Sequence, residues 1–348
     1  MDWSPDRHLQ LRMAATLFAL VLTVVVATLA VWGIVLAMTA VAGAVVGGVL
    51  EREGLLRAVG VDSLVSLWVA SSALLTIGLV GYVAHRQRTA PDYAVATTGA
   101  RRVDRSDAPA LLDTVRSVAQ QADTPVPDVY LAPTETPLSL VTGYAESNTH
   151  LVVSTGLLDA LDERELEAVL AHELAHVKNR DATVMTTTGL LTMAASRVFE
   201  LLRGPTAGVE HGRVSRASYA DAVVTVGLLF AAPVWAVGRV LGASLSRARE
   251  FAADRGAAAI TGDPAALASA LRSVEERLAE HDAPDRRSPV VASLSIVGRS
   301  PPAGSTVLGP VWRLGRRMLA SHPPTSARTE RLRHLERRQE TTTITDSD

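Results

Sequence analysis

Cysteine is absent from all 348 residues, which excludes disulfides, thiolate metal ligands, cysteine nucleophiles and palmitoyl anchors together. An excess of charge of one sign is also lacking. With 34 Lys and Arg against 36 Asp and Glu the net charge is −2, which excludes a nucleic-acid binder that works by bulk basicity. At 48% apolar and only 20% charged, the chain is no long disordered tether. It carries no internal repeat and no phosphate-cradling glycine loop. Metal or nucleophile chemistry is left to histidines, carboxylates and hydroxyls.

What the chain has instead is four stretches without Asp, Glu, Lys, Arg or His: 13–50, 63–84, 182–196 and 222–238. A helix rises about 1.5 Å per residue and a bilayer core is about 30 Å thick, so roughly 20 apolar residues span it. The first two stretches meet that length. The first exceeds a single upright span, and its apolar run is longer than that of a cleaved signal peptide, the alternative for this region. The third is short and rich in threonine, and the fourth contains Pro233. Both are read as spans, because proline is tolerated in membrane helices and Arg239 can snorkel to the headgroups; buried core helices are the alternative. Arg86, Arg88, Arg101, Arg102 and Arg105 follow the second stretch, against Arg52 and Arg57 before it, which places the soluble part on the cytoplasmic side of the cell membrane. The loop 197–221, with Arg197, Arg203, Arg213 and Arg216, argues the other way.

The resulting organisation is a membrane hairpin over 1–89, a soluble part over 90–181, a second hairpin over 182–246, more soluble chain over 247–338, and a polar tail over 339–348 expected to be disordered. In the soluble part, Leu111, Leu112, Val115 and Val118 recur at helical spacing, and Val129-Tyr130-Leu131 and Leu151-Val152-Val153 read as strands. Asp162 followed by Glu165 reads as an N-cap with its capping-box partner, opening a helix through Leu166, Val169, Leu170, Leu174 and Val177. Ser246–Ile260 and Pro264–Glu280 read as two further helices, the region 282–310 as a proline-rich loop. The fold class expected is mainly α, of the α+β type, with a small sheet.

His172-Glu173-Leu174-Ala175-His176 lies on the helix that Asp162 opens. Histidines four apart share one helix face and can share a zinc ion, with the intervening glutamate as general base. Chance writes this pattern into roughly one chain in a hundred of this composition, on composition priors; a pair of solvated helix histidines is the alternative. A catalytic zinc needs a third protein ligand, and the extended signature with a third histidine is absent, Asn179 and Ala182 standing at its Gly and His positions. Without cysteine, that ligand is a His, Asp or Glu. If the second hairpin leaves the membrane face after Asp181 and returns before Ser246, it delivers Glu250 beside the histidine helix. Asp254, one turn on, then accepts a ring N–H from a ligand histidine. The alternative for Glu250 is an exposed carboxylate paired with Arg247 or Arg249.

Glu163 to Asp181, reading ERELEAVLAHELAHVKNRD, and Ser246 to Gly256, reading SRAREFAADRG, stand in order across a hydrophobic hairpin and resemble the HtpX family of membrane zinc metalloproteases, relatives of the CAAX prenyl proteases. The resemblance runs from residue 1 to about 336. It implies a zincin-like protease domain, one zinc ion per chain held by His172, His176 and Glu250, and Glu173 as catalytic base. His322-Pro323-Pro324 with Arg328 also looks like a family signature, which suggests a place near the substrate cleft. Where many relatives carry an Asn-Ala-Phe-like segment, this chain reads Ser139-Leu140-Val141-Thr142-Gly143. Leu151 to Ser154 resembles the edge strand on which such proteases pair an extended peptide, an ordinary sheet strand being the alternative.

The expected reaction is hydrolysis of peptide bonds in misfolded or membrane proteins without an acyl-enzyme. Glu173 takes the proton of a water that zinc acidifies toward a pKa of about 7 and passes it to the leaving amine. The expected partners are a polypeptide substrate and the lipid bilayer, and no nucleic acid. The rival readings are a prenyl-protein endopeptidase, a membrane scaffold or holdase with structural zinc, and a soluble protease in which 182–196 and 222–238 are buried helices.

Overall fold

The computed structural model describes residues 90–143, 149–179, 181, 219–280, 296 and 322–345, with isolated positions between 11 and 85; for part of the helices the backbone alone is described. The chain divides into two compact units, 18–87 with 188–239, and 1–17 with 88–187 and 240–348. The second of these carries the candidate site.

That unit orders its elements as α1 (Ala90–Thr97), β1 (Arg101–Arg102), α2 (Pro109–Ala122), β2 (Asp128–Ala132), β3 (Ser139–Thr142), β4 (His150–Ser154), α3 (Thr155–Ala160), α4 (Glu163–Lys178), α5 (Tyr219–Thr261, of which 240–261 belong here), α6 (Pro264–Glu280) and α7 (Thr325–Thr345). It is mainly helical with a small mixed sheet in the order β1-β2-β4-β3. β2 and β4 run parallel, with Val129 opposite Leu151, while β3 and β4 run antiparallel, with Leu140 opposite Val152.

β4 is buried throughout, and its alternation serves two cores. Leu151 and Val153 join the main core with Val115, Val118, Leu170, Leu174, Leu271 and Leu332, while Val152 joins Leu138 and Leu140 on the other face. A strand covered on both faces reads as an unbroken apolar run. This corrects the expectation that Leu151–Ser154 is an edge strand. β4 pairs on both sides, and the edge nearest α4 is β3. The β2–β3 connection folds back so closely on α3 that a Cβ at Gly156 would stand 2.0 Å from the carbonyl oxygen of Glu135, a position only glycine can fill.

Helix α4 starts where the sequence predicts. Asp162 Oδ1 accepts from Glu165 N–H at 2.8 Å and Glu165 Oε2 accepts from Asp162 N–H at 3.2 Å, the complete capping box. From Ala168 to His176 the helix is buried, packed against α2, α6 and β3. α6 is capped by Asp263, whose Oδ1 accepts from Ala266 N–H at 2.9 Å, and Asp263 also pairs with Arg164 next to the start of α4. The helix expected over 246–260 is the last part of α5, which ends at Gly262, where φ is +71°.

The tail expected to be disordered from 339 instead continues α7 to Thr345. Leu332 is fully buried and Leu335 packs beside it, so the helix is anchored in the core upstream and runs on through Glu336–Glu340 into its threonine-rich end. Among the described residues no helix is long and apolar enough to cross a membrane. Stretches 13–50, 63–84 and 182–196 lie almost wholly outside the described residues, as does the loop 282–310 apart from Ile296; of 222–238 mainly the backbone is described, within α5.

Candidate metal centre

Spacing of four on α4 brings the two histidine rings together, centroids 4.7 Å apart and edge to face, with their Nε2 atoms 3.2 Å from each other. Glu250 on α5 faces both: Oε2 lies 3.7 Å from Nε2 of His172 and Oε1 lies 3.7 Å from Nε2 of His176. All three side chains are buried. The remaining ring nitrogens are taken by carboxylates, Nδ1 of His172 by Asp254 Oδ1 at 3.1 Å and Nδ1 of His176 by Asp181 Oδ2 at 2.6 Å. An ionised carboxylate at that distance places the ring proton on Nδ1 and leaves a bare lone pair on Nε2. Two such lone pairs converge with a carboxylate on one point, an arrangement that a cation satisfies.

The dimensions fit a first-row metal. Bonds of about 2.0–2.1 Å in tetrahedral geometry separate ligand atoms by about 3.3–3.4 Å, close to the observed 3.2 and 3.7 Å. Two imidazoles and one carboxylate with no thiolate is a set that zinc accepts while keeping a fourth position open. Glu250 Oε2 and Glu173 Oε1 are both buried with no hydrogen-bond partner, so the centre holds unsatisfied acceptors beside the converging lone pairs.

The electrostatics divide the site into distinct roles. Burial pushes His172 down to about 4, and the neighbouring charges of Arg328 and His176 add to that, against Asp254. Burial also pulls on His176, yet the hydrogen bond and charge of Asp181 outweigh it and raise this ring above the usual value. Burial alone would raise Glu250, but His322, Arg328 and His176 hold it well below the carboxylate range, so it is an anion. Glu173 is raised to about 7 by burial, opposed by His176 and the adjacent Ser139 hydroxyl. A carboxyl poised near neutral pH suits a group that takes up and returns a proton.

All seven residues singled out in the sequence fall in this one cluster. His172, Glu173 and His176 come from α4, Glu250 and Asp254 from α5, and Arg328 from α7. Arg328 is fully buried. It donates from Nε to Asp254 Oδ2 at 2.9 Å, from Nη2 to Asp254 Oδ1 at 2.5 Å and from Nη1 to the carbonyl of Ile296 at 2.5 Å, with Glu250 Oε2 at 3.4 Å. His322 stands just before α7 with Nδ1 3.6 Å from Glu250 Oε2. The alternative pairing of Glu250 with Arg249 does not occur, since Arg249 turns to Asp181, Nε to Oδ2, at 3.3 Å. Asp181, Arg249 and Ser139 are the members sequence reasoning passed over. Their only signal was position, Asp181 five residues after His176 and Arg249 next to Glu250.

Residues 105–336 match Peptidase family M48. Among curated proteins, the chain is 32% identical over 297 residues to "Protease HtpX homolog" of Paenarthrobacter aurescens, a match covering 85% of this chain and 95% of that protein. It is 35% identical over 296 residues to "Protease HtpX homolog" of Acidiphilium cryptum, covering 82% and 96% respectively. Identity rises to 43% over 180 residues with "Protease HtpX homolog 2" of Methanosarcina mazei, over 51% of this chain and 59% of that one.

Proposed function

Because the chain belongs to peptidase family M48, among the HtpX-type metalloproteases, we propose that it is a membrane-embedded zinc endopeptidase that hydrolyses misfolded or membrane proteins on the cytoplasmic side. The observation that carries this reading is the approach of two histidine lone pairs, 3.2 Å apart, to a buried carboxylate, with a glutamate raised to about 7 on the same helix turn. His172, His176 and Glu250 would hold one zinc ion. The chemistry zinc supplies in such a site is Lewis acidity, which acidifies water toward a pKa of about 7 and polarises a carbonyl.

The side chains do the rest. Glu173 takes a proton from the attacking water as a carboxylate and carries it to the departing amine as an acid, a role that its burial, which favours the protonated form, supports. Asp254 keeps the His172 proton on Nδ1, and Arg328 keeps Asp254 ionised and in place. β3 offers the substrate a strand to pair with. Ser154 N–H donates to the carbonyl of Leu138, so by antiparallel alternation Leu140 and Thr142 bond β4 while the main-chain groups of Ser139 and Val141 face outward. Among the described residues no strand pairs with that outer edge, and an extended peptide laid there by β-augmentation passes beside Ser139 and Glu173. The charge-free stretches 13–50, 63–84, 182–196 and 222–238 support the membrane reading, and the arginines after 85 support the orientation.

Incubating the full chain, purified in detergent, with an unfolded polypeptide should give cleavage that a zinc chelator stops and that Glu173→Gln abolishes. Cleavage undiminished in Glu173→Gln would overturn the reading and favour a scaffold with structural metal.

A further inference from the structure

Each ring at the centre is backed by a carboxylate, and each carboxylate by an arginine. The sequence leads to the expectation that Asp254 accepts a ring N–H; Asp181 and Arg249 lie inside the two motif segments, yet the sequence assigns them no such role. Asp181 is 1% exposed and puts Oδ2 2.6 Å from Nδ1 of His176, the shorter of the two carboxylate–imidazole contacts. The same oxygen lies 3.3 Å from Nε of Arg249, itself 6% exposed. A carboxylate this deeply buried is costly; here Oδ2 takes the ring N–H and the charge of the guanidinium, an ion pair without a hydrogen bond, while Oδ1 has no hydrogen-bond partner. Arg249 stands next to Glu250 on α5, so adjacent residues of one helix reach the two Nε2 atoms and the carboxylate behind His176.

We propose that Asp181, ion-paired with Arg249, is the positioning residue for His176. It holds the ring in the Nδ1–H form with Nε2 aimed at His172 and Glu250, and ties the end of α4 to α5 at the metal. This rests on reading the cluster as a metal centre. Carboxylates that orient metal-bound histidines typically matter 10- to 100-fold in metal affinity.

The test is zinc binding by the full chain in detergent, titrated against a competing chelator, for wild type, Asp181→Asn and the double variant Asp181→Ala/Arg249→Met. The double variant removes both buried charges and leaves neither stranded. Zinc affinity should fall 10- to 100-fold in the double variant and by less in Asp181→Asn, whose side-chain carbonyl still accepts the ring N–H. At saturating cobalt, the visible absorption bands of Asp181→Asn should shift from those of wild type, which a purely structural role for Asp181 would not produce. If both variants bind zinc within twofold of wild type and show its cobalt spectrum, Asp181 does not position His176, while the metal centre stands. If wild type itself takes up no zinc, the metal-centre reading falls, and the proposal falls with it.

Discussion

Arg328 reaches Asp254 across 74 positions of sequence and grips both carboxylate oxygens, from Nε at 2.9 Å and from Nη2 at 2.5 Å. The forked pair fixes the carboxylate whose Oδ1 lies 3.1 Å from Nδ1 of His172. It also joins α7 to α5 inside the core, with the third guanidinium nitrogen on the carbonyl of Ile296. The site and the closure of the fold thus share one side chain.

Removing that side chain strands Asp254 and Glu250 as buried anions. Arg328→Ala should therefore destabilise the metal-free protein by about 3–5 kcal/mol, the usual consequence of breaking a buried ion pair from one side. Lysine cannot reproduce the fork, so Arg328→Lys should recover only part of the loss. The thermal unfolding midpoint of the chelator-treated protein measures both, and a midpoint unchanged in Arg328→Ala would show that the pair contributes nothing net.

Glu250 and Glu173 are both buried acids at the same centre, yet they should behave oppositely on substitution. Glu250→Ala removes one of three converging donors and should leave the purified protein with little zinc by elemental analysis. Glu173→Gln leaves all three donors in place and should retain about one zinc per chain, on a two-His, one-Glu ligand set. Stoichiometric zinc in Glu250→Ala would assign the third ligand elsewhere.

The contrast between these acids also marks what a linear sequence can reveal. The histidine helix was legible because its signals are local: a capping box of two residues three apart and two rings four residues apart. Glu250 was legible only by topology, from the positions of the charge-free stretches. Asp181 and Arg249 stand inside the two motif segments, but their pairing was not legible, since a buried ion pair between elements leaves no periodicity. β4 was misplaced because an apolar run of Leu151-Val152-Val153 shows that a strand is buried without showing on how many sides it is paired. The tail failed differently: its composition is polar, but its helix is seeded upstream, where Leu332 enters the core.

A proton acceptor raised to about 7 gives the reaction a pH dependence whose sign is fixed. Glu173 works as a carboxylate, so activity should be full above its value and should fall as pH drops through it. The positive charge of a bound zinc ion would lower that value, which puts the midpoint of the acidic limb of kcat/KM at or below about 7. Zinc content measured at each pH should stay constant across the limb. A midpoint well above 7, or zinc lost in step with activity, would take the limb away from Glu173, in the second case toward protonation of His176.

The outward-facing edge of β3 makes a prediction that separates substrate pairing from folding. Val141 N–H points away from β4, so proline there removes no bond of the sheet, and Leu140 before it is already extended, as a residue preceding proline must be. Val141→Pro should therefore keep the far-ultraviolet circular dichroism of wild type. It deprives an extended substrate of one main-chain hydrogen bond, worth about 1 kcal/mol, and should lower kcat/KM roughly five- to tenfold, mostly through KM. Leu140→Pro deletes a bond to β4 in the middle of two cores and should instead unfold the domain. If Val141→Pro cleaved with wild-type kinetics, the peptide would have to be held by side chains alone, because no other strand among those described presents an unpaired edge beside Glu173.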